Sequence, residues 1–128
     1  MSWSYRCPKC HVMLNPRQSI ILVASREEQR FLIGLHPQPG NYEVYLPPEA
    51  KVEAGSRWDF YCPACQGRLI SEEDEDLCVL ERVTGEALEQ ILFSRVSGEH
   101  VTFVVAQRKI IERFGEQADL YLPRLVHM

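Results

Sequence analysis

Cysteine is the residue type in this chain most able to do chemistry. Four of its five copies fall in two pairs of one spacing, Cys7-Pro8-Lys9-Cys10 and Cys62-Pro63-Ala64-Cys65. Two thiolates held on a tight turn make half of a tetrahedral metal site, and two such turns facing each other complete it. The likeness of the turns goes beyond cysteine. A shift of 55 positions places Trp3 on Trp58, Tyr5 on Phe60, Cys7 on Cys62, Pro8 on Pro63, Cys10 on Cys65 and Leu14 on Leu69. Each half therefore reads W-x-[YF]-x-C-P-x-C-x-x-x-L. That pattern spells a strand ending in an aromatic, a turn presenting two sulfurs, and an apolar residue packing back. Proline fixes φ inside the turn and adds no donor that would compete with backbone N–H groups aimed at sulfur.

The arrangement resembles the zinc-ribbon family over the two knuckles, roughly residues 3–14 and 58–69, with Cys7, Cys10, Cys62 and Cys65 at its ligand positions. The resemblance implies a structural zinc and a class that serves many unrelated functions. Zinc with four thiolates carries a formal charge of −2, which the neighbouring Arg6, Lys9, Arg57 and Arg68 can offset. His11 directly follows a ligand, and with four cysteines present it reads as a supporting residue. One spacing departs from the family: 51 residues separate Cys10 from Cys62, against about 15–20 in typical ribbons. Loop-closure entropy grows slowly, so the longer connection costs about 1 kcal/mol more. Structural zinc contributes on the order of 10–16 kcal/mol in finger peptides. Four thiolates also accept iron, as in rubredoxin, although those knuckles usually carry glycine where His11 and Gln66 stand. A redox dithiol ranks third, since it needs one CxxC at a helix start. Cys78, within Leu77-Cys78-Val79-Leu80, reads as a small core residue.

Something must hold the two turns face to face, and the intervening residues read as strands. Segments 20–24, 31–35 and 42–46 are rich in β-branched and aromatic residues, with breaks at 25–30, 36–41 and Pro47-Pro48. After the second knuckle the acidic run Glu72-Glu73-Asp74-Glu75-Asp76 reads as a solvated connector. Strands are expected at 77–83, 87–96 (where a helix period competes) and 101–105. A short helix over 109–114, closed by Gly115, follows. In the tail, Leu120, Tyr121, Leu122, Leu125 and Val126 are expected to dock. The expected fold is α+β and mainly antiparallel β: a zinc ribbon with a long β insertion between its knuckles, then a β-rich half with one short helix. Residues 1–70 and 71–128 form two modules or one continuous domain.

Charge and composition exclude some roles. The chain has 128 residues and a net charge of −4. Residues 1–70 carry eight basic and six acidic groups, and residues 71–128 six and twelve. Nucleic-acid binding draws its affinity from phosphate neutralisation, so this balance disfavours it and leaves only a modest basic excess near the knuckles. No apolar run approaches the ~20 residues of a membrane-spanning helix, and the N-terminus lacks the apolar core of a signal peptide; a cytoplasmic location is expected. Ser94, Ser97, Glu99 and His100 crowd one turn, yet a catalytic triad is built in space rather than along one turn. Arg95, Glu99 and His100 are retained as an interaction site. A closed metal site without a catalytic motif predicts a non-catalytic accessory or regulatory module that binds another protein or its own copies. A nucleic-acid-binding ribbon and an iron electron carrier are the alternatives.

Overall fold

A computed structural model describes residues 3–85 and 87–125. The described residues form nine strands: β1 (Ser4–Arg6), β2 (Ile20–Arg26), β3 (Gln29–Leu35), β4 (Val44–Tyr45), β5 (Asp59–Tyr61), β6 (Leu77–Thr84), β7 (Ala87–Ser94), β8 (Thr102–Ala106) and β9 (Lys109–Phe114). A helical turn, α1 (Ala118–Tyr121), runs into a 3-10 turn at Leu122–Leu125. The strands form two antiparallel sheets, ordered β1-β6-β7-β8-β9 and β4-β3-β2-β5.

Alternation along the strands explains how the sheets stack. Leu22, Ala24, Ile33 and Phe60 from the four-stranded sheet meet Tyr5, Cys78, Leu80, Ile91 and Val104 from the five-stranded sheet in one core. This core joins residues from both halves of the chain. The opposite face of the five-stranded sheet carries Leu77, Leu92, Phe103 and Val105, and α1 with its 3-10 turn covers it with Ala118, Tyr121 and Leu125. Strand β8 thus lies between two apolar layers, which is why Val101–Val105 reads as an unbroken apolar run with one threonine.

The mainly antiparallel β expectation is met, and of the segment expected at 87–96, Ala87–Ser94 is a strand, paired over eight residues with β6. The helix expected at 109–114 is wrong. Those residues form β9, a hairpin partner of β8. Gln107 and Arg108 both adopt positive φ (51° and 65°) and close a two-residue turn between Ala106 and Lys109. That turn lacks the Asn-Gly signature by which such hairpins are usually recognised. A register shift at Val104/Val105 lets Ile110 pair with Val105 and Glu112 with Val104. The helical spacing of Ile110, Ile111 and Phe114 therefore describes no buried face, and Ile111 stands exposed. The helical turn lies in the tail instead. Tyr121 and Leu125 dock as expected, while Leu120 is 66% exposed; Val126 is outside the described residues. The acidic run is only half solvated: Asp74 is buried and, with Asp76, takes the Arg124 guanidinium, while Arg57 reaches Asp76 at 2.8 Å.

The chain changes sheet twice around the knuckles. It leaves β1 through Cys7–Cys10 to enter β2 on the other sheet, and leaves β5 through Cys62–Cys65 to return to β6. Both β1 and β5 are three-residue edge strands.

Candidate metal centre

The repeated sequence folds into a repeated backbone. In the first knuckle Cys7 N–H donates to Val12 O (3.0 Å), His11 N–H to Cys7 O (2.9 Å) and Leu14 N–H to Tyr5 O (2.8 Å). Fifty-five positions on, Cys62 N–H donates to Gly67 O (3.0 Å), Gln66 N–H to Cys62 O (3.0 Å) and Leu69 N–H to Phe60 O (2.8 Å). His11 and Gln66 occupy the same left-handed conformation, with φ of 65° and 62°. Leu14 and Leu69 are both fully buried behind the turns. The aromatic before each knuckle, Tyr5 or Phe60, faces the shared core. Each knuckle is thus a short hairpin anchored from below and presenting its sulfurs at the top.

The four sulfurs converge. Cys7, Cys10, Cys62 and Cys65 place their Sγ atoms within 4.8 Å of one another. Cys7 and Cys65 are 3.8 Å apart, and Cys10 and Cys62 3.7 Å. A tetrahedron with metal–sulfur bonds of about 2.3 Å sets its sulfurs about 3.8 Å apart, so the donor set fits a tetrahedral thiolate metal. Disulfide bonding needs a sulfur separation near 2.0 Å, and all four thiols are free. Backbone donors already aim at the sulfurs: Lys9 and Cys10 N–H at Cys7 Sγ (3.3 and 3.5 Å), Ala64 and Cys65 N–H at Cys62 Sγ (3.4 and 3.5 Å), and Gly67 N–H at Cys65 Sγ (3.3 Å). Such bonds disperse negative charge from a thiolate and orient its lone pairs. Burial pushes the Cys62 thiol up to about 12, against the pull of the Cys65 and Ala64 amides. A metal ion in the proton's place lets that sulfur ionise at neutral pH. Cys7 and Cys62 are buried; Cys10 and Cys65 form the exposed rim.

The charged residues beside the ligands take different places. The Lys9 stem crosses onto the second knuckle, where a side chain on Gly67 would meet its Cδ at 2.5 Å beside Cys65 Sγ. Arg6 pairs with Glu81 (2.8 Å), and Arg68 with Asp59 (2.8 Å). His11 is exposed on its knuckle. Arg30 hydrogen-bonds Gln66 (2.6 Å) and covers the Tyr61 ring at 5.0 Å. Asn15 is a support that the sequence pattern did not single out: its side chain accepts from Tyr5 N–H (2.8 Å) and donates to Trp3 O (2.6 Å). Its counterpart 55 positions on is Ile70, so the repeat carries no trace of this role.

Arg95, Glu99 and His100 do not share one surface. Arg95 is 8% exposed and ties the two sheets together. Its Nε donates to Trp58 O (2.8 Å), its terminal nitrogens to Glu75 O (2.6 Å) and Asp59 Oδ1 (2.7 Å). Glu99 accepts from the hydroxyls of Ser94 (2.6 Å) and Tyr121 (2.5 Å). The His100 ring stacks on Tyr42 at 4.4 Å. Ser94 thus points to a carboxylate that already holds Tyr121, while the histidine is engaged elsewhere. Burial raises the Cys78 thiol above its ordinary range, which keeps it protonated and inert.

No model of a known family, no characterised protein and no solved structure matches this chain. The four-cysteine cluster therefore carries the functional reading.

Proposed function

We propose that this chain is a zinc-stabilised, non-catalytic module that works by binding another protein, as an accessory or regulatory subunit. The single observation behind the metal is the convergence of four thiols from two sheets at tetrahedral spacing. Cys7 and Cys10 would hold the ion from the β1 side and Cys62 and Cys65 from the β5 side. Bound there, zinc supplies a redox-inert cross-link and no open ligand position for catalysis. The outer face of the four-stranded sheet supports the partner reading: Leu32 and Tyr45 are 56% and 53% exposed beside the Arg30–Tyr61 pair. Aromatic residues and arginine are enriched where proteins meet. Thiols free to bind metal suit a reducing compartment, and the cytoplasm is part of this proposal. No helix among the described residues is long and apolar enough to cross a membrane.

Metal analysis with an absorption spectrum tests the ion. One equivalent of zinc in a colourless protein is expected; stoichiometric iron with strong visible bands would replace this reading with electron transfer. Size-exclusion chromatography of protein isolated at native abundance tests the partner. A complex or a dimer is expected, and a bare monomer would refute the interaction role. Nucleic-acid binding that weakens steeply with salt would instead favour the ribbon as a nucleic-acid module.

A further inference from the structure

Between the two sheets, beyond the buried core, lies a cavity of about 230 Å³ that opens at the loop leading into β4 and at the turn after β7. Its walls are aromatic. Phe31 and Trp58 pack with ring centres 5.3 Å apart, and Phe60 and Phe93 meet edge-on at 5.7 Å. The indole N–H of Trp58 is engaged by Ser56 Oγ (2.9 Å), so that ring has no polar demand left to place in the cavity. Two half-exposed residues stand at the entrance, Val44 (48%) and Leu46 (44%). Their neighbour Tyr45 pairs with Gly34 on the opposite face of the sheet, so alternation turns Val44 and Leu46 toward the opening. Exposed apolar residues in a cavity mouth have a use that isolated ones lack.

We infer that this cavity is a binding site for a compact, uncharged aromatic molecule of one or two rings. Size sets the upper bound: an apolar cavity of about 150 Å³ takes benzene, and this one is about half as large again, the scale of a fused bicycle. The walls set the ring character, because edge-to-face and offset contacts with four aromatic side chains favour another aromatic. Charge is set by Arg95, which reaches the cavity wall but spends its donors on Trp58 O, Glu75 O and Asp59. With its charge matched by Asp59, Arg95 offers no counter-ion to a carboxylate ligand; at the mouth, His36 Nδ1 already accepts from Gln38 N–H (3.1 Å), and Glu43 would repel a carboxylate. Polar contacts remain near the rim at Ser97 and at the Tyr42–Thr102 hydroxyl pair (2.9 Å). The site is separate from the cysteine cluster and stands whether or not the partner reading holds.

The test is titration of the metal-loaded full chain with indole, followed by amide chemical shifts and by melting temperature. Saturable shifts concentrated at Phe31, Trp58 and Phe93, with a rise in melting temperature, are expected. Ala24 lies in register between Phe31 and Phe60 on the cavity wall. Ala24→Leu fills that space and should weaken indole at least tenfold while holding or raising the melting temperature. Val44→Trp, at the tolerant entrance, does the same if Ala24→Leu does not fold. Indole-3-propionate, the same ring with a carboxylate, should bind more weakly than indole. The inference is overturned by the absence of saturable shifts up to the solubility limit of indole, by affinity unchanged in both variants, or by tighter binding of the carboxylate.

Discussion

Removing a metal held by the four cysteines should cost this protein a defined amount of stability, and the chain's topology sets the scale. The cross-link spans the 51 residues between Cys10 and Cys62. Restricting a loop of that length in the unfolded chain is worth about 4 kcal/mol on the chain-entropy account. The native state has little with which to replace it. Strands β1 and β5 are three residues long, and each pairs with another strand along only one side, its other side held by the return of its own knuckle. A total stability of about 5–15 kcal/mol is ordinary for a domain, so the loss is a large fraction. Urea unfolding of the metal-loaded and chelated protein reads it directly. With a slope near 2 kcal/mol per molar, the midpoint should fall by about 2 M. Cys62→Ser should reproduce the chelated midpoint, and hydrogen exchange should speed up first in β1, β5 and the knuckles. Cys78→Ala should keep full metal stoichiometry, since Cys78 lies in the core away from the cluster. Midpoints for the loaded and chelated protein within about 0.3 M of each other would refute the idea that the metal cross-links the sheets.

Other expectations follow from particular contacts. Arg95→Ala should destabilise by about 3–5 kcal/mol, because it strands two backbone carbonyls and leaves Asp59 to Arg68 alone; a thermal melt checks this, with Arg113→Ala, in an exposed pair with Asp119, as the near-neutral control. Gly115→Ala should cost about 3 kcal/mol: φ is +103° and a methyl there would sit 1.9 Å from His100 O. Gly55→Ala, at φ +86° with open space around it, should cost only about 1 kcal/mol, and equal losses at the two glycines would contradict the close approach. Burial raises the phenols of Tyr5, Tyr42 and Tyr121 above their ordinary 10.0. The folded state thus favours the protonated form, so their contribution is complete below the ordinary phenol range and is lost as pH rises through it. Urea midpoints should decline above about pH 10, and a flat profile there would count against buried phenols.

Much of the site was legible because it is local. The ligand spacing and the Leu14/Leu69 pairing lie within twelve-residue windows whose backbone bonds close internally. The strands read well where β-branched residues run together, as in β2, β3 and β8. Local pattern misleads where a turn chooses the partner. Nothing in Gln107-Arg108 advertises two positive φ angles, so Lys109–Phe114 kept a helical spacing that β8 then overrode by pairing. Arg95 looked like a surface charge because its acceptors, Trp58 O and Glu75 O, are 37 and 20 positions away. The acidic run looked solvated because Arg124, which holds Asp74 and Asp76, follows some 50 residues later.

The amino-acid order thus specifies two matched pairs of thiols able to hold a metal ion and a β-rich chain, since thiol chemistry and strand periodicity are properties of short segments. It does not say that each knuckle ends an edge strand of a different sheet, nor that the ion would sit where the chain crosses between them. Nor does it say that aromatic side chains from Phe31 to Phe93 enclose a cavity. Those features depend on which strands pair and which faces are buried, and pairing and burial are settled only when distant segments compete for the same core.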